Sequence, residues 1–134
     1  MALENPNTFV TMTEGTPAFT VPNGGAFEIV DAPGEQTVNV ANGGSVNLGG
    51  VSGRNTINLE SDAETYSVSR VAGTAQVTLS GVNGEEITVN AGSINQKVVF
   101  KDGAADVRLD TSDSTPVVRV GDQEVTTQNA SVSA

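Results

Sequence analysis

From residue 36 onward, apolar and polar residues alternate with a period of two. Thr37-Val38-Asn39-Val40 is followed by Ser45-Val46-Asn47-Leu48 and by Asn55-Thr56-Ile57-Asn58-Leu59. Tyr66-Ser67-Val68, Gln76-Val77-Thr78-Leu79, Ile87-Thr88-Val89, Val98-Val99-Phe100, Asp106-Val107-Arg108-Leu109 and Val117-Val118-Arg119-Val120 continue the series. Successive side chains of a strand point to opposite faces, so this pattern describes strands with one dry and one wet side. Asn42-Gly43-Gly44, Gly49-Gly50, Gly73, Asn83-Gly84, Asp102-Gly103 and Gly121-Asp122 fall in the gaps and supply turn chemistry. Strands recurring about every ten residues predict an all-β fold, an antiparallel β-sandwich or barrel-like domain. Regular spacing also permits a β-solenoid. The sandwich is preferred because turn lengths vary and no side-chain ladder stands out at a fixed offset. Ser61-Asp62-Ala63-Glu64 is long enough for one helical turn, and no longer helical periodicity occurs.

The first 35 residues read differently. Thr8-Phe9-Val10, Phe19-Thr20-Val21 and Phe27-Glu28-Ile29-Val30 are short apolar pieces punctuated by Pro6, Pro17, Pro22 and Pro33. Proline donates nothing to a ladder, which predicts edge strands or an extended arm over residues 1–35. The sandwich is expected over 36–128, and a small-residue tail over 129–134.

Composition narrows the core and the partners. Four Phe, one Tyr and no Trp leave Val, Leu, Ile and Ala to fill the interior, which suits the thin space between two sheets. The formal charge is −10, from 16 acids and 6 bases, and residues 1–53 contain no Lys or Arg. Such a chain repels phosphate backbones and anionic lipid, so neither nucleic-acid binding nor membrane insertion is expected. The start, Met1-Ala2-Leu3-Glu4, lacks the basic and apolar regions of a classical signal peptide. Cysteine is absent, so stability is expected from the core or from assembly.

Gly53-Arg54-Asn55-Thr56-Ile57-Asn58-Leu59, the acidic turn Ser61–Glu64, the strand Thr65-Tyr66-Ser67-Val68-Ser69 and the turn Val98-Val99-Phe100-Lys101-Asp102-Gly103 resemble the β-rich repeat domains of bacterial exported and cell-surface proteins. That resemblance covers about two-thirds of the chain, Gln36 to Gln128. It implies an extracellular or cell-surface protein, exported by a type I-like route that reads the C-terminus. The calcium-binding nonapeptide tandem of such proteins does not occur here.

Catalytic equipment is sparse. Without His or Cys there is no Ser-His-Asp or Cys-His nucleophile and no His-ligated zinc, so an enzyme is not expected. Glu85-Glu86 reads as a pair of solvated turn acids. Two acidic series have the oxygen ligands that calcium takes: Asp102, Asp106, Asp110 and Asp113, and Glu60, Asp62 and Glu64. Calcium there would rigidify a loop or bridge subunits.

Three of the four Phe lie within the first 27 residues, and apolar area favours burial by about 25 cal/mol per Å². Phe9, Val10, Phe19, Val21, Phe27, Ile29 and Val30 are therefore expected to dock, either on their own domain or on a neighbouring copy by strand addition. The second possibility describes a structural, self-assembling subunit of an extracellular filament or surface layer, its partner being itself. Alternatives from other classes are an adhesin or carbohydrate-binding module, weakened by the shortage of aromatics, and a viral capsid-decorating or tail protein.

Overall fold

The computed structural model describes residues 8–11, 18–30, 34–48, 53–92, 94–112 and 114–132. In chain order the strands are β1 (Thr8–Thr11), β2 (Phe19–Val21), β3 (Ala26–Val30), β4 (Glu35–Val40), β5 (Ser45–Leu48) and β6 (Arg54–Leu59). A 3-10 turn (Ala63–Thr65) leads into β7 (Tyr66–Arg70), β8 (Gln76–Gly81), β9 (Glu86–Asn90) and β10 (Gln96–Phe100). Then follow β11 (Gly103–Asp110), β12 (Val117–Val120), β13 (Gln123–Glu124) and β14 (Ala130–Ser131). They form two seven-stranded sheets packed face to face, an all-β sandwich. The first sheet runs β1-β3-β5-β9-β8-β7-β14 and the second β13-β12-β11-β10-β6-β4-β2.

Strand direction departs from the antiparallel expectation in the first half. β1 through β6 alternate between the sheets, and each from β3 onward pairs in parallel with the strand two before it. The chain therefore winds as coils whose register advances by 19 residues: Phe19 faces Val38, and Val38 faces Ile57. On the other sheet Thr8 faces Phe27, and Phe27 faces Val46. β9 and β10 make the next coil, pairing in parallel with β5 and β6. Between these coils the chain inserts β7 and β8, and beyond them it adds β11 to β13, all antiparallel. The molecule is a coil stack at one end and a set of hairpins at the other.

A side-chain ladder at fixed offset does exist. The inward rows Val38–Ile57–Val98 and Val46–Ile87–Leu79–Val68 belong to one buried core. The outward rows are also matched. Asn58 Nδ2 donates to Asn39 Oδ1 (2.8 Å), and Asn47 Nδ2 to Glu28 Oε1 (3.1 Å), each pair 19 residues apart. The residue types within a row are similar rather than identical, and the β7–β8 insertion stretches the next offset to 41 residues, as between Asn55 and Gln96. Both effects mask the repeat in the sequence.

The turn that carries the chain across to the facing sheet is Asn-Gly-Gly, at 23–25 and again at 42–44. In each copy the second glycine's N–H closes the turn, Gly25 onto Pro22 O and Gly44 onto Ala41 O, both 2.9 Å. The stacked turns then bond to each other through Gly24 N–H and Gly43 O (3.1 Å). Gly43 has φ +83°, and a Cβ there would come within 3.0 Å of Asn23 Nδ2, so conformation and stacking both require glycine.

Residues 129–134, expected as a tail, include β14, which pairs Ala130 with Val68, and Val132, which is buried. Val125 is likewise buried, and Gln123 Nε2 of the second sheet donates to Ser131 O of the first (2.8 Å). These contacts tie the two sheets together at the hairpin end.

Candidate functional site

The opposite end of the stack is where the expected assembly residues gather. Among the described residues no strand pairs with the outer edge of β1 in the first sheet or of β2 in the second. Val21 O accepts from Ala41 N–H (2.9 Å), so residues 19 and 21 bond inward to β4. Alternation then directs the N–H and C=O of Thr20 outward. In the interior the donor next to a strand end is Ala41; its counterpart in the outermost coil is Pro22, which has no N–H. The edge is open along the strand and blunted at its turn.

Of the seven candidate assembly residues, Val21 and Ile29 are buried in the chain's own core. Phe19 and Phe27 are half-buried and meet edge-to-face, ring centroids 5.2 Å apart. Val30 is exposed. Phe9 and Val10 lie on β1, in register with Glu28 and Ile29 of the same chain.

The acidic series take up separate posts. Asp102 Oδ1 accepts from Ala63 N–H (2.9 Å) and Glu60 Oε1 from Asn42 N–H (2.8 Å), so both brace turns. Asp106 pairs with Arg54 at 3.4 Å. Asp110 accepts from the Ser112 hydroxyl (2.6 Å), the Ser112 N–H (3.0 Å) and Arg119 Nε (2.8 Å). The Ser112 bonds first, and then Arg119, hold its carboxyl well below the usual carboxylate range. Asp62 precedes the 3-10 turn, and its carbonyl accepts from the Thr65 hydroxyl; Glu64 lies within that turn. Asp113 lies outside the described residues. Among the described residues no three acids converge on one point.

Glu85 is not the solvated turn acid the sequence suggested: it is 3% exposed. Its Oε1 accepts from Asn83 N–H (3.0 Å), and its carboxylate lies over Gly81, where a Cβ would strike it. The missing side chain of Gly81 makes the space. Beside it sits Tyr66, buried and 5.6 Å from the ring of Phe100. Burial, and secondarily the Glu85 carboxylate, push the Tyr66 hydroxyl above its usual value of 10, with Ser61 hydrogen bonds opposing. A pKa raised in the folded state gives stability that is present below pH 10 and lost as pH climbs through the folded value. Since Tyr66 is the sole tyrosine, its tyrosinate absorbance is expected to rise later than that of a free tyrosine and together with loss of β circular dichroism. Tyr66→Phe is expected to shift that alkaline transition upward.

Sequence reasoning also missed a buried amide cluster. Gln96 Oε1 accepts from Asn55 N–H (2.7 Å) and Asn55 Nδ2 (2.9 Å), while its Nε2 donates to Gly53 O (3.0 Å) and Ile94 O (3.3 Å). Gln36, in register with Asn55, is buried beside them. Parity was the available signal: Asn55 shares a strand face with Ile57 and Leu59.

The class defined by these features is an all-β sandwich whose N-terminal half is a parallel coil stack, with no strand on its outer edges among the described residues. No protein-family model, curated protein or solved structure matches the chain. Among the described residues no helix is long and apolar enough to cross a membrane.

Proposed function

We propose that the protein is a structural, self-assembling subunit of an extracellular filament or surface layer, and that copies associate by strand addition at the open end of the coil stack. The supporting observation is the asymmetry of the two ends. One is tied across the sheets by Gln123 and Ser131, whereas the other presents the outer edges of β1 and β2 side by side. Edges like these, unpaired among the described residues, accept strands from other chains. The half-buried Phe19 and Phe27 beside that edge add apolar area for a neighbour to cover.

Light scattering over a range of protein and calcium concentrations, with negative-stain microscopy, tests the proposal. The wild type is expected to associate as its concentration rises. Thr20→Pro, which removes the outward donor of β2, is expected to weaken association by about tenfold, the loss of one or two edge hydrogen bonds. Pro22→Ala restores the donor that Ala41 has in the interior and is expected to strengthen it. A wild type that stays a monodisperse monomer throughout would sink the proposal.

A further inference from the structure

The outer face of the first sheet holds two buried oxygens that lack a hydrogen-bond donor among the described residues, Asn47 Oδ1 and Glu86 Oε1. Val46 and Leu48 of β5 and Ile87 and Val89 of β9 belong to the core. Alternation therefore turns Ser45, Asn47, Glu86 and Thr88 to the opposite face. β5 and β9 are adjacent and parallel, with Asn47 in register with Thr88. On its other side Asn47 is in register with Glu28 of β3. Although it faces away from the core, Asn47 is only 7% exposed.

Glu28 fixes the orientation of the Asn47 amide. Asn47 Nδ2 donates to Glu28 Oε1 at 3.1 Å, and the flipped amide would set a carbonyl against a carboxylate. Oδ1 is thereby left as the acceptor without a partner. Glu86 is the diagonal neighbour of Asn47 across the β5–β9 pair, within reach of a long side chain. Its N–H donates to Ser45 Oγ (3.2 Å), which holds the start of β9 against β5. Neither Glu28 nor Glu86 has an ion pair among the described residues. Burying an acceptor without a partner is costly, and more so when it carries charge. A cation relieves both oxygens and both carboxylates at once.

We propose that Glu28, Asn47 and Glu86 form a calcium site on the outer face of the first sheet. Two carboxylates and one amide carbonyl supply hard oxygens, and water fills the rest of the roughly six to eight positions that calcium takes. Calcium tolerates the irregular ligand spacing of a pleated sheet, whereas magnesium demands near-octahedral geometry and gives up its water reluctantly. β3 and β5 belong to the coil stack, and β9 resumes it after the β7–β8 insertion. A bound ion therefore clamps the stack where its offset jumps from 19 to 41 residues. None of the three residues belongs to the two acidic series of the sequence, and the site does not depend on how copies associate.

Calorimetric titration of the full chain with calcium chloride, with thermal unfolding in calcium and in chelator, tests the site. Saturable binding of about one ion per chain is expected, with an unfolding midpoint higher in calcium than in chelator. Magnesium at equal concentration is expected to do less. Glu86→Gln keeps the size of the side chain and removes its charge, and is expected to weaken calcium binding at least about tenfold. Asn47→Asp sets a second charge against Glu28, so it is expected to lower the midpoint in chelator and to enlarge the rise that calcium gives. A purely structural Asn47 would lower the midpoint equally in both, and that result overturns the site. So does the absence of saturable binding at millimolar calcium, or binding that Glu86→Gln leaves intact. Glu60→Gln and Asp102→Asn are expected to leave the titration unchanged; loss of binding in either places the ion elsewhere and overturns the assignment.

Discussion

Replacing Gln96 by leucine is expected to destabilise the fold by about 3 kcal/mol or more, although leucine is apolar and similar in size. Gln96 lies on the inward face of β10 and is fully buried. Its side chain holds four partners: the N–H and Nδ2 of Asn55 and the carbonyls of Gly53 and Ile94. Leucine would leave them without water and without a bond, at about 1–3 kcal/mol for each buried group left unsatisfied. Gln96→Glu separates hydrogen bonding from shape. The carboxylate keeps the acceptor facing Asn55, loses both donors, and places a charge in a dry site. It is expected to destabilise at neutral pH and to recover in part as acid neutralises it. Denaturant unfolding measures both variants, and a leucine variant within about 0.5 kcal/mol of wild type, the usual range for a surface substitution, would refute the hub role.

Ile57→Ala is expected to cost about 3–4 kcal/mol, with Ile57→Val costing about 1 kcal/mol. Ile57 is 0% exposed and sits mid-sheet, with Val38 on one side in register and Val98 on the other. Rigid parallel coils press on it from both sides, so the gap left by alanine cannot close by the shift of one strand. Val82, 76% exposed in the β8–β9 turn, is the control, and Val82→Ala is expected to change stability by less than about 0.5 kcal/mol. The unfolding midpoint should fall for Ile57→Ala with an unchanged denaturant slope.

The two variants mark how far the sequence could be read. Ile57 was legible as core because alternation assigns its face. The same alternation put Asn55 on that face, yet its chemistry argued for solvent. Only its partner Gln96, 41 residues away, makes burial tolerable. The assembly residues divide similarly. Val21 and Ile29 were expected to dock on their own domain or on a neighbouring copy, and β2 and β3 join the chain's own sheets and bury both. The acidic series looked like ligand sets because spacing is one-dimensional. In space Asp102 caps a turn, Asp106 meets Arg54 and Asp110 meets Arg119.

By itself the sequence determined that the chain is all β, which residues face inward, where the turns fall, and that the first 53 residues contain no Lys or Arg. These follow from local rules: a period of two, glycine at tight turns, and composition. Only the tertiary structure decided strand direction. An Asn-Gly-Gly turn looks the same locally whether it returns the chain beside itself as a hairpin or carries it to the facing sheet. The choice depends on which apolar rows then come into contact. Crossing puts Phe19 beside Val38 and Val38 beside Ile57, a match 19 residues apart that becomes favourable only when whole coils stack. The same stacking makes one end open and the other tied, because sheet order depends on pairings between distant parts of the chain.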